Sequence, residues 1–141
     1  MRLLAKTAML AALLLPASIV HPGDSSILCL AKNIYHEARG ESRKGKLAVA
    51  KVTLNRVAHP KFANTICDVV YQPKQFSWTL NYKPKAYSGP EWEDSLALAR
   101  EAFYTNLTHF DFPALYFHSA KINPKWKRKR LAQIGNQIFY L

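Results

Sequence analysis

Residues 27–41 read Ile27-Leu28-Cys29-Leu30-Ala31-Lys32-Asn33-Ile34-Tyr35-His36-Glu37-Ala38-Arg39-Gly40-Glu41. Ile27, Leu28, Ala31, Ile34, Tyr35 and Ala38 recur at three- and four-residue spacing, which predicts an amphipathic helix. Ser25 or Ser26 can cap its start, and Gly40 stops it. Glu37 then sits in the last turn, flanked by Tyr35 and Ala38. A carboxyl at the end of an apolar helix suits a raised pKa. An ordinary helix carboxylate suits the same spacing, and the residues by themselves leave both readings open.

Working outward, a second helix is predicted over residues 45–58, with Leu47, Ala48, Val49 and Val52 on its apolar face and His59-Pro60 ending it. Residues 65–70 read as a short helical or extended turn. Residues 71–90 are rich in Pro, Asn, Ser and aromatic side chains and keep no helical period. They read as a long irregular excursion, with room for a short hairpin, and ordered loops of this length often carry function. A third helix starts near Pro90, with Glu91, Glu93 and Asp94 at its positive pole. Trp92, Leu96, Ala99 and Phe103 are its expected buried face. Residues 114–118 and 137–141 read as short strands. The expected fold is a helix-rich α+β single domain.

Composition bounds the function. Apolar residues make up 49% of the 141, so the chain can build a core. The 20 Lys and Arg against 9 Asp and Glu give a net charge of +11, which favours polyanionic partners or surfaces. Nucleic acid, anionic lipid and the bacterial envelope all qualify, and so does a merely well-solvated surface. The basic run Lys125-Trp126-Lys127-Arg128-Lys129-Arg130 is the densest part of this excess. At the other end, Arg2 and Lys6 precede the apolar stretch Ala8-Met9-Leu10-Ala11-Ala12-Leu13-Leu14-Leu15-Pro16-Ala17. This is the pattern of a secretory signal. Residues 1–22 are therefore expected to be a signal peptide or signal anchor, residues 23–26 a short hinge, and residues 27–141 the catalytic domain. Cutting after Ala17 would put Leu15 at the −3 position, so an uncleaved anchor is the alternative. In an exported chain, Cys29 and Cys67 are expected to form a disulfide, against the alternative of two buried thiols.

Several chemistries find no support. His36-Glu37 opens like a zinc-protease motif, but the residue four after His36 is Gly40. The histidines at 21, 36, 59, 109 and 118 show no metal-ligand spacing. There is no G-x-S-x-G and no phosphate-binding glycine loop. No metal and no cofactor is expected. The carboxylates are left as the reactive groups.

The stretch from Cys29 to Glu41 resembles the signature of the spore-cortex-lytic (SleB/CwlJ-type) cell wall hydrolase family. The resemblance continues through Gly45, Ala48-Val49-Ala50-Lys51-Val52 and Asn55-Arg56-Val57. It runs on through Ile66-Cys67-Asp68-Val69-Val70-Tyr71-Gln72, Gln75-Phe76-Ser77-Trp78, Ala114-Leu115-Tyr116-Phe117-His118 and Ile134-Gly135-Asn136-Gln137-Ile138-Phe139-Tyr140. Each block is weak alone; the ordered set is specific. It implies a fold related to lysozyme and the lytic transglycosylases, with a single catalytic acid at Glu37. Gln137 departs from the pattern, because the family usually has His there.

The implied reaction cuts the bond from N-acetylmuramic acid to N-acetylglucosamine in peptidoglycan. Glu37 would protonate the bridging oxygen and then act as base, while the muramyl 6-hydroxyl closes an anhydro ring. Glu41 is expected to support it. Gln75 and Ser77 are expected to hold the acetamido group or intermediate. Phe76, Trp78, Tyr116 and Trp126 are candidates for stacking on sugars, and His118 and Tyr140 for substrate contact. Expected partners are peptidoglycan glycan strands, with transient membrane contact through the leader, no nucleic acid, and a monomeric enzyme. A hydrolytic muramidase, an N-acetylmuramoyl-L-alanine amidase and a non-enzymatic basic binder are the rivals. The setting is either a phage or prophage endolysin or a host enzyme that remodels the wall. The expected location is the periplasm or cell envelope, tethered if the leader stays uncleaved. Deleting residues 2–20 should abolish lysis by protein made inside cells while leaving activity on purified peptidoglycan untouched. Undiminished lysis by the shortened form, with no other permeabilising protein present, would contradict export by the leader.

Overall fold

The expected catalytic helix is α1, Pro22–Ala38, in a computed structural model that describes residues 22–141. The leader expected over residues 1–22 lies outside the described residues, except for Pro22. That proline takes the first helical position, where its missing N–H costs nothing. The hinge expected over residues 23–26 is thus helical, and Ser25 and Ser26 lie inside the helix rather than capping it. Ile27, Leu30, Ala31, Ile34 and Ala38 are fully buried, as a 3.6-residue period requires. Leu28 is the exception in the expected stripe: it is 43% exposed.

α2, Arg43–Val57, starts two residues earlier than expected because the Ser42 hydroxyl accepts from the Gly45 amide at 3.2 Å. Its buried positions, from Leu47 to Leu54, run most of the way round the helix. A helix buried on every side belongs between layers, and α2 lies between the helices and the sheet. α3, Ile66–Val70, is capped by Thr65. Cys29 and Cys67 are bridged and tie α3 to α1.

α4, Pro90–Thr105, buries Trp92, Ser95, Leu98, Ala99 and Ala102 against α1. Its face is rotated from the expected one, so Leu96 and Phe103 are only half-buried. Lys46 of α2 is 5% exposed and has Glu91 at 3.0 Å and Asp94 at 2.7 Å. The acids at the start of α4 are therefore also the counter-ions that a buried cation needs.

The sheet is antiparallel and ordered β1-β3-β2, with β1 Tyr116–Ser119, β2 Arg130–Ile134 and β3 Gln137–Tyr140. β2 was not expected, since its side chains are at most half-buried and its sequence carries no apolar alternation. Phe139 from β3 packs with Phe112, Ala114, Ala38, Ala48, Val49 and Val52 in a second core that joins sheet to helices. The excursion over residues 71–90 forms one 3-10 turn, Ser77–Thr79, and no hairpin. Among the described residues no helix is long and apolar enough to cross a membrane.

The bridge closes a loop of 38 residues, which in the chain-entropy picture is worth about 4 kcal/mol. Cys29→Ser together with Cys67→Ser should lower the melting temperature markedly. Alkylation of unreduced, denatured exported protein should label no thiol; two labelled thiols would contradict the bridge.

Candidate active site

Glu37 ends α1 on the floor of a cleft of about 600 Å³. One wall is the loop that carries Lys74, Gln75, Phe76 and Ser77. The other is β1 with the chain that follows it, through Tyr116, His118, Trp126 and Arg128. Arg56 and Gln137 close the floor beside Glu37. Of the residues expected at the substrate, Gln75, Phe76, Ser77, His118 and Trp126 do share this cleft with Glu37.

The walls are held by polar groups that cross between elements. Asn33, fully buried in α1, reaches Thr53 of α2 at 3.4 Å. Its side-chain oxygen accepts from the Trp78 indole at 3.1 Å, which fixes the Gln75–Ser77 loop against α1. Trp78 then stacks on His36, with centroids 4.4 Å apart. Its stacking surface is used inside the protein and does not line the cleft. On the opposite side, the Asn55 amide donates to the Phe112 and Ala114 carbonyls at 2.7 and 2.9 Å. Arg56 Nε donates to the Leu115 carbonyl at 2.8 Å. Asn55-Arg56 thereby pins the segment that leads into β1.

Burial pushes the Glu37 carboxyl up to about 7, against a pull downward from Arg56. Burial also pushes the Arg56 guanidinium down to about 10. Arg56 is 4% exposed. It stands over the rings of Phe62, Phe76 and Tyr116, 5.1, 5.4 and 5.7 Å from their centroids. Its Nη1 has no hydrogen-bond partner. A buried guanidinium with one nitrogen unpaired, beside a largely buried carboxyl, is an arrangement that charge on the carboxyl would complete.

Glu41 lies outside the cleft. Its carboxylate accepts from the Asn136 amide at 3.2 and 3.3 Å. Gly135 adopts φ +55°, and a Cβ there would run into the Glu41 carboxylate. Glu41 therefore clamps the β2–β3 turn onto the end of α1, and the next residue, Gln137, is set over Glu37. The Gln137 amide donates to the Glu37 carbonyl at 3.0 Å, satisfying a carbonyl that the helix end leaves open. Gln137 Oε1 is buried without a partner. The position where the resemblance leads one to expect His is thus occupied by an amide that holds the backbone of Glu37.

His118 has both ring nitrogens engaged. One faces the Ser119 carbonyl at 2.8 Å, so it carries the proton, and the other accepts from the Tyr140 hydroxyl at 2.8 Å. Tyr140 stacks behind His118 at 5.2 Å and is not part of the cleft lining. Its hydroxyl is engaged with His118. Phe76 is almost fully buried. Trp126 is 40% exposed and edge-on to His118, the one indole open to the cleft. Arg56, Lys74, Arg128, Ile122 and Ser119 also line the cleft and were not singled out from the sequence. Arg56 lay inside the quoted Asn55-Arg56-Val57 block, which was the available signal.

Residues 40–140 match the sequence profile of the cell wall hydrolase family. The spore cortex-lytic enzyme of Oceanobacillus iheyensis is 32% identical over 121 residues, covering 82% of this chain and 41% of that protein. The spore cortex-lytic enzyme of Bacillus subtilis is 31% identical, over 82% of this chain and 37% of that protein. The chain spans less than half the length of these curated relatives. Among solved structures, it is similar to the catalytic domain of the germination-specific lytic transglycosylase SleB from Bacillus anthracis. That match has a TM-score of 0.67 and 26% identity, covering 89% of this chain and 99% of that one. The catalytic domain of the Bacillus cereus SleB protein gives a TM-score of 0.65 and 28% identity, over 84% and 91% of the two chains. With a profile spanning its sheet, three of its helices and the cleft residues other than Glu37, the chain belongs to the cell wall hydrolase family.

Proposed function

We propose that the protein is an exported lytic transglycosylase that cuts the bond from N-acetylmuramic acid to N-acetylglucosamine in peptidoglycan, with Glu37 as its acid and base. The observation that carries this reading is one largely buried carboxyl, raised to about 7 and so about half protonated at neutral pH, lining a cleft of about 600 Å³. A glycosidic oxygen needs a proton as its bond breaks, and a carboxyl kept neutral by an apolar site supplies it.

Among the described residues that line the cleft, Glu37 is the single carboxyl. Two-carboxylate hydrolysis needs a second one within about 5–10 Å to attack carbon or activate water. The intramolecular route does not. After donating its proton, Glu37 is the nearby base for the muramyl 6-hydroxyl, which attacks the anomeric carbon and closes the anhydro ring. Arg56 then faces an ionised Glu37, so the second half of the reaction has its counter-charge in place. Gln75 and Ser77, which line the same cleft, would bind the acetamido group, and Trp126 would stack on a sugar face. Glu41 acts at a distance, through the turn that seats Gln137. The leader supplies export to the envelope, and the enzyme works as a monomer.

Glu37→Gln should cut turnover at least about a hundredfold, since acid–base catalysis is worth 10²–10⁴. Mass spectrometry of wild-type digests should give anhydro-muropeptides. Reducing muramic ends would identify a hydrolytic muramidase, and free stem peptides an amidase.

The same variant carries a stability signature. Wild-type Glu37 binds its proton up to about pH 7 when folded but only to about 4.5 when unfolded. Between these values the folded state holds the extra proton, so stability falls as pH rises. The loss is complete above pH 7 and amounts to about 3 kcal/mol. Glu37→Gln should therefore match wild type near pH 4 and melt higher near pH 8. Equal melting at both would show Glu37 to be an ordinary solvated acid.

A further inference from the structure

The cleft holds more positive charge than the reaction needs. Arg56, Lys74 and Arg128 line it, against the one carboxyl of Glu37. None of the three takes part in an ion pair among the described residues. Lys74 and Arg128 come from separate stretches of chain, the loop before the 3-10 turn and the connection between β1 and β2. Arg128 is pinned in place: its guanidinium lies 3.5 Å from the Tyr116 ring centroid and 5.8 Å from that of Trp126. Beneath them, Arg56 presents a buried Nη1 without a partner. A neutral hexosamine polymer offers nothing to such a set. Cations gathered along one cleft select a ligand that carries anions.

Building on the glycosidase reading above, we propose that the cleft recognises a carboxylate on the muramyl side arm beside the scissile bond, held between Lys74 and Arg128 above Arg56. The muramyl unit differs from its neighbouring glucosamine by the lactyl ether and the peptide attached to it. Both can carry carboxylates: the lactyl acid where no peptide is attached, and the stem peptide where one is. Reading that charge tells the enzyme which side of the repeating bond faces Glu37. The cations would thus set register along the strand as well as affinity.

The test uses the full chain and three glycan substrates. The first is native strands. The second is strands stripped of stem peptide by an amidase, which leaves the lactyl carboxylate. The third is strands whose carboxylates have been converted to methylamides. Wild type should show kcat/KM about tenfold lower on methylamidated than on native strands, given the strength of charge-assisted hydrogen bonds. That preference should shrink between 50 and 500 mM salt, since these charges face solvent. In Lys74→Gln/Arg128→Gln the two substrates should be cleaved with equal kcat/KM. Both side chains are exposed, so an unchanged melting temperature will confirm that the variant is folded. Stripped strands cleaved better than native ones would identify the lactyl acid as the recognised group, stripped strands cleaved like native ones would show that either carboxylate serves, and stripped strands cleaved like methylamidated ones would identify the stem peptide. Equal cleavage of native and methylamidated strands by wild type would overturn the proposal and leave the glycosidase reading standing. A preference that persists in the double variant would overturn it as well. Failure to cleave any of the three would overturn the glycosidase reading and this proposal with it.

Discussion

Shielding most of the Glu37 carboxyl from water is the constraint around which the rest of this domain is arranged. A lone carboxyl in an apolar site holds its proton into the neutral range, at a cost in stability whenever the surrounding pH would ionise it. The carbonyl pole of α1 disfavours a negative charge there too. Arg56 opposes both, and its distance from bulk water keeps the opposition strong. The acid is therefore poised: neutral enough to give its proton, and close enough to a cation to survive without it. Moving either partner by an ångström would upset that balance, so both must be held rigidly.

The holding is done by groups that are buried and polar. Asn33 joins α1 to α2 and to the loop before the 3-10 turn. Asn55 and Arg56 join α2 to the approach of β1. Glu41 joins the end of α1 to the β2–β3 turn, and Gln137 returns from that turn to the backbone of Glu37. These links cross between separate elements, and only Arg56 Nη1 and Gln137 Oε1 among their buried side-chain atoms lack a partner. Such networks specify one arrangement more strictly than apolar packing does. The disulfide between Cys29 and Cys67 and the Lys46 ion cluster brace the far side of the same helices.

The elements with strong local signals were legible in the sequence. The 3.6-residue period in residues 27–38 located α1 and put Glu37 in its last turn, because burial in a helix is written directly into apolar spacing. Pro90 and the acids after it marked α4, though its buried face turned out to include Ser95 and Ala102, whose small size the pattern does not reveal. β2 was not legible, since a strand with little buried surface shows no alternation. The hinge at residues 23–26 was misread because serines are good caps and unremarkable in a first helical turn. Within the site, Gln75, Ser77 and His118 lay in the blocks of the resemblance and Trp126 in the basic run, and the cleft contains all four. Tyr140, expected at the substrate, stands behind His118 outside the cleft lining, and Glu41, expected in a supporting role, reaches the β2–β3 turn. Their roles depend on which partner folds against them, His118 in one case and the Gly135-Asn136 turn in the other. No sequence period encodes that. The cations of the cleft were missed for the same reason: Lys74, Arg56 and Arg128 are brought together only by the fold.

The central claim is that Glu37 is a carboxyl kept protonated into the neutral range by burial, and its titration can be watched directly. With carboxyl-labelled glutamate, carbon NMR across pH 3–9 would follow each side chain, and Glu37→Gln would identify the resonance that disappears. The account predicts a Glu37 midpoint of about 7. A midpoint near 4.5, the value of a solvated glutamate, would contradict it.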